Sequence, residues 1–138
     1  MSGIVTYTDG GARGNPGPAG AGGVIYDGDK KVAEVKKYLG ARTNNWAEYE
    51  AIIIVLERAK LMGYAKRDIE LRVDSQLIAR QLSGQYRVKD ANLKEQYLKV
   101  RGLLAHFGKA TYTHVFREQN KEADALANEA MDEGTGKG

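Results

Sequence analysis

The chain has 138 residues, of which 42% are apolar and 28% are charged, and it contains no cysteine. This length is typical of one globular domain that buries roughly two-thirds of the surface of its unfolded chain. The absence of cysteine excludes disulfide scaffolds, zinc ribbons and thiol nucleophiles. The formal net charge of +3 is compatible with a polyanionic partner but does not identify one.

Neither a signal peptide nor a membrane-spanning segment is indicated. The longest apolar run, Ala51 to Leu56, is far shorter than the roughly 20 residues that a transmembrane helix needs. We therefore expect a cytoplasmic protein that does not enter the membrane. A single domain is expected at residues 1–131, and the polar, glycine-rich residues 132–138 are expected to form a flexible tail.

Three strands are predicted at the start of the chain. Ile4 to Asp9 alternates in the manner of a half-buried strand. Gly20 to Tyr26 and Val32 to Leu39 follow as two further strands, joined by the hairpin signal Asp27-Gly28-Asp29. The glycine-rich segment Gly10 to Pro18 is expected to be a loop.

From Thr43 the apolar residues follow the period of a helix. Thr43 or Asn44 can cap this helix, and Gly63 ends it. The later elements are, in chain order, a strand at Ile69 to Val73, a helix at Gln76 to Leu82, a helix at Leu93 to Phe107, a strand at Ala110 to Phe116 and a helix at Ala123 to Ala130. The order β-β-β-α-β-α-α-β-α predicts an α/β fold, in which a mixed five-stranded sheet with three antiparallel strands first is flanked by helices.

Four carboxylates are predicted at strand ends or among apolar helix positions, where acidic side chains are uncommon. Asp9 closes the first predicted strand and Asp74 closes the fourth. Glu48 shares the apolar face of the first helix, and Asp124 lies between alanines on the last one. Because a buried carboxylate needs a cation or a hydrogen-bond network, these positions indicate a functional site.

Each of these acids also has a purely structural interpretation. Asp9 can start a turn, and Asp74 can cap the helix that follows it. Glu48 in the first helical turn favours the helix dipole by only about 0.3–1 kcal/mol. Asp124, taken alone, is a surface acid. The four together are more informative than any one of them.

A site built from carboxylates indicates chemistry with hard cations. Clustered acids repel one another unless cations neutralise them, and oxygen ligands suit Mg²⁺ or Mn²⁺ better than Zn²⁺. Two such ions about 4 Å apart can stabilise the attacking and leaving oxygens of a phosphodiester. The residues therefore favour phosphoryl transfer without a nucleophile from the protein.

Five short motifs follow one another along nearly the whole chain, from Ile4 to about Met131. They are Thr8-Asp9-Gly10-Gly11, Gly14 to Gly20, Thr43-Asn44-Asn45-Trp46-Ala47-Glu48, Val73-Asp74-Ser75-Gln76 and Asn120 to Ala127. In this order they resemble the type I ribonuclease H family. The element order predicted above agrees with the ribonuclease H-like fold of that family.

The resemblance implies a hydrolase, an endonuclease that cuts the RNA strand of an RNA–DNA hybrid and leaves 5′-phosphate and 3′-hydroxyl ends. It implies that Asp9, Glu48, Asp74 and Asp124 are catalytic and hold two Mg²⁺ or Mn²⁺ ions when substrate is bound. Asp9 would contact both ions, and the nucleophile would be water. The residues that match substrate-binding positions of the family are Gly10, Gly11, Arg13, Asn15, Thr43, Asn44, Asn45, Gln76 and Asn120.

The sequence also departs from the family pattern. Only three residues, starting with Arg117, separate the last predicted strand from Asn120, so the loop histidine of many members is absent. Arg117 is the candidate that replaces part of its catalytic role, with Glu118 the second choice, whereas His114 is expected to be packed or half-exposed in the strand. The stretch Leu82 to Asp90 is too short for the basic protrusion that other members insert there.

Two alternatives remain open at this point. The chain would be a catalytically silent module that binds hybrids or duplexes if the metal site did not work. It would act on DNA instead if it were closer to the resolvase-like relatives of the same fold. In each case we expect a nucleic acid duplex as partner, a monomer, and no obligate protein partner.

Overall fold

The computed structural model describes residues 3–136, which form one mixed sheet with four α-helices. The strands are β1 Ile4–Ala12, β2 Gly17–Asp27, β3 Lys30–Arg42, β4 Ile69–Val73 and β5 Ala110–His114. The helices are α1 Asn44–Leu61, α2 Gln76–Leu82, α3 Ala91–Leu104 and α4 Lys121–Gly134, and a single 3₁₀ turn, Arg117–Gln119, precedes α4. The predicted order of elements and the α/β class are confirmed.

The sheet has the strand order β3-β2-β1-β4-β5. β1, β2 and β3 are antiparallel, as predicted, whereas β4 is parallel to both β1 and β5. The parallel register pairs Thr8 with Val73. Asp9 follows Thr8 and Asp74 follows Val73, and the two strands run in the same direction. The sheet itself therefore brings Asp9 and Asp74 to the same edge.

Helices cover both faces of the sheet. A Cβ atom on Gly23 would lie 2.3 Å from Val55 of α1, whereas one on the adjacent Gly22 would lie 2.6 Å from the backbone nitrogen of Ala127 in α4. Since neighbouring residues of a strand face opposite sides, α1 and α4 sandwich β2. Strand β1 lies beside it, so both helices can present side chains at the end of β1.

The prediction of a loop from Gly10 to Pro18 is wrong for most of that segment. Gly10, Gly11 and Ala12 pair with β2, so β1 continues to Ala12. β2 begins at Gly17, which leaves only residues 13–16 outside the ladder. Gly10 brings α1 close to the strand, whereas Gly14, with a φ of +97°, and Gly17 serve the short turn that remains. The sequence pattern alone does not separate these two uses of glycine.

Other element ends also differ from the sequence prediction. α3 ends at Leu104 and β5 ends at His114, two residues before Phe116. α4 continues to Gly134, three residues into the segment predicted as a tail, because Gly134 packs against the ring of Tyr38. Residues 137 and 138 of that segment lie outside the described residues.

None of the helices in residues 3–136 combines the length and hydropathy that crossing a membrane requires.

Gly10 is the point where β1 and α1 approach most closely among the described glycines. A Cβ atom there would lie 2.1 Å from the carbonyl oxygen of Ala47 and 2.6 Å from the backbone nitrogen of Glu48. The contact is with backbone, which cannot rotate away. Gly10 therefore sets the distance between the strand that carries Asp9 and the helix that carries Glu48.

We expect Gly10→Ala to push α1 away from β1 and to lower the free energy of unfolding by about 1–3 kcal/mol, as overpacking does. Urea denaturation of the whole chain measures this change. Gly11→Ala is the matched control, because a Cβ atom at Gly11 would meet only Asn44 Oδ1, at 3.8 Å. Equal losses in the two variants would show that the close approach at Gly10 is not what the packing depends on.

Candidate active site

The four predicted acids occupy four different elements and come together at one edge of the sheet. Asp9 belongs to β1, Asp74 follows β4, Glu48 is in the first turns of α1, and Asp124 is in α4. All four are half-buried. Asp9 interacts electrostatically with each of the other three, and it shares a hydrogen bond with Asp124. Residues far apart in the sequence thus form one acidic cluster.

The protonation of the cluster reflects its burial and its like charges. Burial is the largest cause that raises the pKa of Asp9, from 3.8 to about 9, and the charge of Asp74 is the next largest. Burial also raises the pKa of Glu48 to about 8, with Asp74 adding to the rise and a hydrogen bond with Ser75 opposing it. Both shifts favour the protonated form. Without a cation, the cluster therefore retains protons at neutral pH.

The donor set of the cluster fits a hard divalent cation. All four ligand candidates are carboxylates, and the charged groups that raise the pKa of Asp9 are acids as well. Among residues 3–136, no group of three or more His, Cys, Asp or Glu side chains has the arrangement that holds a metal ion. Instead, Asp9 is hydrogen-bonded to Asp124, and Glu48 is hydrogen-bonded to Ser75. A divalent ion would have to replace these hydrogen bonds and the protons that accompany them.

Ser75 caps α2, because its Oγ accepts a hydrogen bond from the backbone nitrogen of Ile78 at 3.2 Å. The cap is thus not Asp74, whose carboxylate belongs to the cluster. Thr43 caps α1 in the same way, accepting from Trp46 at 3.3 Å. Each cap fixes the start of a helix directly beside an acid or an amide of the site.

Asn120 was predicted to contact substrate, but the structure places it inside the protein. It is 1% exposed. Its Nδ2 donates to the carbonyl oxygen of Thr8 at 2.9 Å and to Asp74 Oδ2 at 3.2 Å. Its Oδ1 is buried and has no hydrogen-bond partner within the described residues. The prediction for Asn120 is therefore corrected. The turn before α4 places the side chain inside the protein, and the sequence motif does not show this inward position.

Asn15 and Asn44 fix the loop between β1 and β2 against the start of α1. Asn15 Oδ1 accepts from the backbone nitrogen of Asn44 at 3.0 Å, and Asn44 Oδ1 accepts from that of Ala12 at 2.7 Å. Backbone N–H groups only donate, so these contacts settle the orientation of both amides. The NH₂ groups of both side chains therefore remain as donors for a ligand.

Arg13, which the sequence predicts as a substrate contact, makes contacts within the chain. Its guanidinium forms an ion pair with Asp132 at 2.6 Å and a hydrogen bond with Asn128 at 3.3 Å, both on α4. As it stands, Arg13 ties the β1–β2 loop to α4. Of the other residues predicted to bind substrate, Gly10 is buried against α1, Gly11 and Asn45 are half-buried, and Thr43 and Gln76 are exposed.

A groove with a cavity volume of about 700 Å³ runs between the β1–β2 loop, the start of α1 and the start of α3. Asn15, Thr43 and Asn44 lie on one side of it, and Asp90 and Lys99 lie on the other. The Arg42 guanidinium stands 4.0 Å above the ring of Trp46 in this groove. Asp90 caps α3 by accepting from Leu93 at 3.0 Å. The groove thus offers cationic and amide donors at the start of α1, the helix that carries Glu48.

Arg117 lies on a turn that is attached to the site at both ends. Before the turn, the backbone nitrogen of Val115 donates to the carbonyl oxygen of Val73 at 2.9 Å. After it, Asn120 bonds to Asp74. The Arg117 side chain is exposed.

His114, which was expected to be packed or half-exposed in the strand, is exposed and contacts the ring of Phe116 edge-on.

Glu50 is a buried acid whose burial sequence reasoning missed. It is 8% exposed and accepts from Gln96 Nε2 at 2.9 Å, and it forms an ion pair with Lys37 at 3.4 Å. α1 packs against α3 as well as against the sheet, so a second face of the helix is buried. The sequence does contain a signal for this second buried face, namely the three consecutive isoleucines at 52–54. A helix with a single buried stripe does not need three apolar residues in a row.

We expect Asp9→Asn to increase the free energy of unfolding in the absence of divalent cations, and more at about pH 8 than at about pH 4. With a pKa near 9 in the folded chain and 3.8 as its ordinary value, Asp9 binds more protons folded than unfolded. The parent chain therefore loses stability as the pH rises through this range, and asparagine does not.

Urea denaturation at a series of pH values in a chelator measures the effect. Glu57→Gln, a change at an exposed position of the same α1 helix that carries Glu48, controls for the removal of one negative charge. A stability difference between Asp9→Asn and the parent that stays constant from acid to alkaline pH would contradict the protonation assigned to Asp9.

Comparisons with known proteins identify relatives of this chain. A family model described as reverse transcriptase-like matches residues 7–130. Ribonuclease HI of Halobacterium salinarum is 48% identical over 131 residues, which are 94% of this chain and 65% of that protein. The bifunctional protein Rv2228c of Mycobacterium tuberculosis is 40% identical over 94% of this chain and 35% of its own length. The chain thus spans only about one-third to two-thirds of these relatives.

A solved structure extends the likeness to three dimensions. The crystal structure of LC11-RNase H1 in complex with an RNA/DNA hybrid matches with a TM-score of 0.91 and 44% identity. The match covers 96% of this chain and 99% of that one. The likeness thus extends over nearly the whole of both chains.

Proposed function

The chain belongs to the type 1 ribonuclease H family, and from this we propose that it is an endoribonuclease that hydrolyses the RNA strand of RNA–DNA hybrids. The observation that carries the proposal is the cluster of Asp9, Glu48, Asp74 and Asp124, which four separate elements bring together and in which the charges that act on Asp9 are all acidic. The named activities of the relatives support the same reaction class.

The acids would hold two divalent cations, Mg²⁺ or Mn²⁺, once they have lost their protons. Such ions, when bound, supply the positive charge that stabilises the attacking and leaving oxygens of a phosphodiester. The chain contributes the geometry, because Gly10 sets the spacing of Asp9 and Glu48 while the parallel register sets that of Asp9 and Asp74. Partial burial of the acids keeps the local dielectric low and strengthens each of these electrostatic interactions.

We propose water as the nucleophile and 5′-phosphate and 3′-hydroxyl ends as the products. The chain has no cysteine, and the Ser75 hydroxyl is occupied by the cap of α2 and by Glu48. Neither a thiol nor the serine hydroxyl beside the acids is therefore free to act as the nucleophile.

The groove beside the cluster supports a duplex substrate. Asn15 and Asn44 offer outward NH₂ donors, which suit the acceptors on base edges, sugars and phosphates. Discrimination of RNA from DNA requires contacts that sense a 2′-hydroxyl, and small residues such as Gly11 allow the main chain to approach a ribose closely. The similar protein LC11-RNase H1 was solved in complex with an RNA/DNA hybrid, which supports a hybrid as the substrate.

We expect the chain to cleave only the RNA strand of a hybrid and only with Mg²⁺ or Mn²⁺, and Asp74→Asn to abolish cleavage while the protein stays folded. The measurement is strand-resolved cleavage of one hybrid labelled separately on each strand, with each ion and with an all-DNA duplex of the same sequence. Circular dichroism controls for the fold of the variant.

The outcomes separate the alternatives. Binding without cleavage in either ion would indicate a silent hybrid-binding module, and cleavage of the all-DNA duplex would indicate a DNA-directed relative. Full turnover in Asp74→Asn would contradict the assignment of the site.

We expect Arg117→Ala to slow cleavage modestly, by about 10-fold or less, because the exposed guanidinium stands on a turn beside Asp74 and can assist charge stabilisation or product release. The measurement is the single-turnover rate at saturating hybrid. Lys121→Ala, which removes an exposed cation at the start of α4, is the control. If the two variants had equal rates, Arg117 would have no special role.

A further inference from the structure

One buried residue connects three of the four elements that carry the acids. Asn120 immediately precedes α4, and its backbone carbonyl oxygen accepts from the backbone nitrogen of Asp124 at 3.0 Å. Its Nδ2 donates to the carbonyl of Thr8, the neighbour of Asp9 in β1, and to Asp74 beyond β4. With 1% of its surface exposed, Asn120 is out of reach of a duplex.

The orientation of this amide follows from its partners. A carbonyl oxygen and a carboxylate oxygen both accept hydrogen bonds, so the atom that faces them is the NH₂ group. Both amide hydrogens are then used, one on the backbone of β1 and one on Asp74 Oδ2 at 3.2 Å. The second bond restricts the rotation of the Asp74 carboxylate and leaves its other oxygen, Oδ1, for a further ligand.

The fold does not use the whole amide. Asn120 Oδ1 is buried and makes no hydrogen bond to any described residue. A side chain that served only to join β1 to α4 would need no contact with a carboxylate of the site. The bond to Asp74 is therefore the feature that a structural role leaves unexplained.

We propose that Asn120 is a positioning residue, which holds the Asp74 carboxylate in the orientation that a divalent cation requires. This inference rests on the proposed function, because it assigns Asp74 to a metal site. Hydrogen bonds from neighbouring residues fix metal ligands in this way, and their loss typically weakens metal affinity 10- to 100-fold. Asn120 thus acts through Asp74 and does not touch the substrate.

The chain contains a matched control for this role. Gln96 is also 1% exposed, and its Nε2 donates to a carboxylate, Glu50 Oε1, at 2.9 Å. Gln96 therefore provides the same kind of buried bond between an amide and a carboxylate, between α3 and α1, without contact with the acidic cluster. Asn120→Ala and Gln96→Ala each remove one such bond, so a merely structural loss would affect both alike.

The test is isothermal titration of Mn²⁺ into the full chain without substrate, together with the Mn²⁺ dependence and the kcat and KM of hybrid cleavage. We expect Asn120→Ala to weaken Mn²⁺ binding about 10-fold or more and to lower kcat with KM for the hybrid unchanged. Excess Mn²⁺ should restore part of kcat. Gln96→Ala should bind Mn²⁺ as the parent does. Asn120→Ser, which removes less volume, should show a smaller loss of affinity and serves if the alanine variant does not fold.

Equal Mn²⁺ affinities in the Asn120 variants and Gln96→Ala would overturn the proposal, as would a rise in KM alone, which would indicate a substrate contact. The titration is independent of cleavage. If the parent chain binds Mn²⁺ but cuts no hybrid, the proposed function fails while the role of Asn120 is still decided.

Discussion

The main constraint on this structure is that the fold holds four half-buried carboxylates close together, where they repel one another. Burial and the neighbouring acids raise the pKa of Asp9 to about 9, so the folded chain reduces the repulsion by keeping protons. Like charges that share a site cannot all ionise without a counter-charge. The rest of the fold has to supply the free energy that holds them there, and the cluster is stabilised only when something positive joins it.

The sheet and the glycines provide that free energy through close packing. α1 can approach β1 only because residue 10 has no Cβ, and α4 approaches β2 only because residue 22 has none. These contacts bury the core residues of α1, such as Ile52 and Leu56, at 0% exposure. Each fully buried aliphatic side chain contributes about 1.5–3 kcal/mol. Packing at several such positions offsets the repulsion among acids that the same approach creates.

The sequence predicted those features of the fold and the site that depend on residues close together in the chain. Periodicity and caps gave the order of the elements, and acids at strand ends or on an apolar face indicated a site. It failed where a residue's role depends on a distant partner. The glycines after Asp9 indicated a turn because glycine serves turns and close packing equally. The pairing of Arg13 with Asp132, the burial of Glu50 against α3 and the inward position of Asn120 are tertiary contacts that no local spacing encodes.

The polar groups of the site divide into two sets with opposite needs. The charges that shift the pKa of Asp9 are all acidic, whereas Asn15 and Asn44 use their side-chain oxygens on backbone N–H groups and keep their NH₂ groups as donors. A ligand satisfies both sets only if it presents anionic or acceptor oxygens to the amides and comes with cations for the acids. A nucleic acid accompanied by divalent ions has this composition. Because a bound cation would relieve the repulsion among the acids, the divalent ions of the proposed function would also stabilise the fold, by an amount that rises with their concentration.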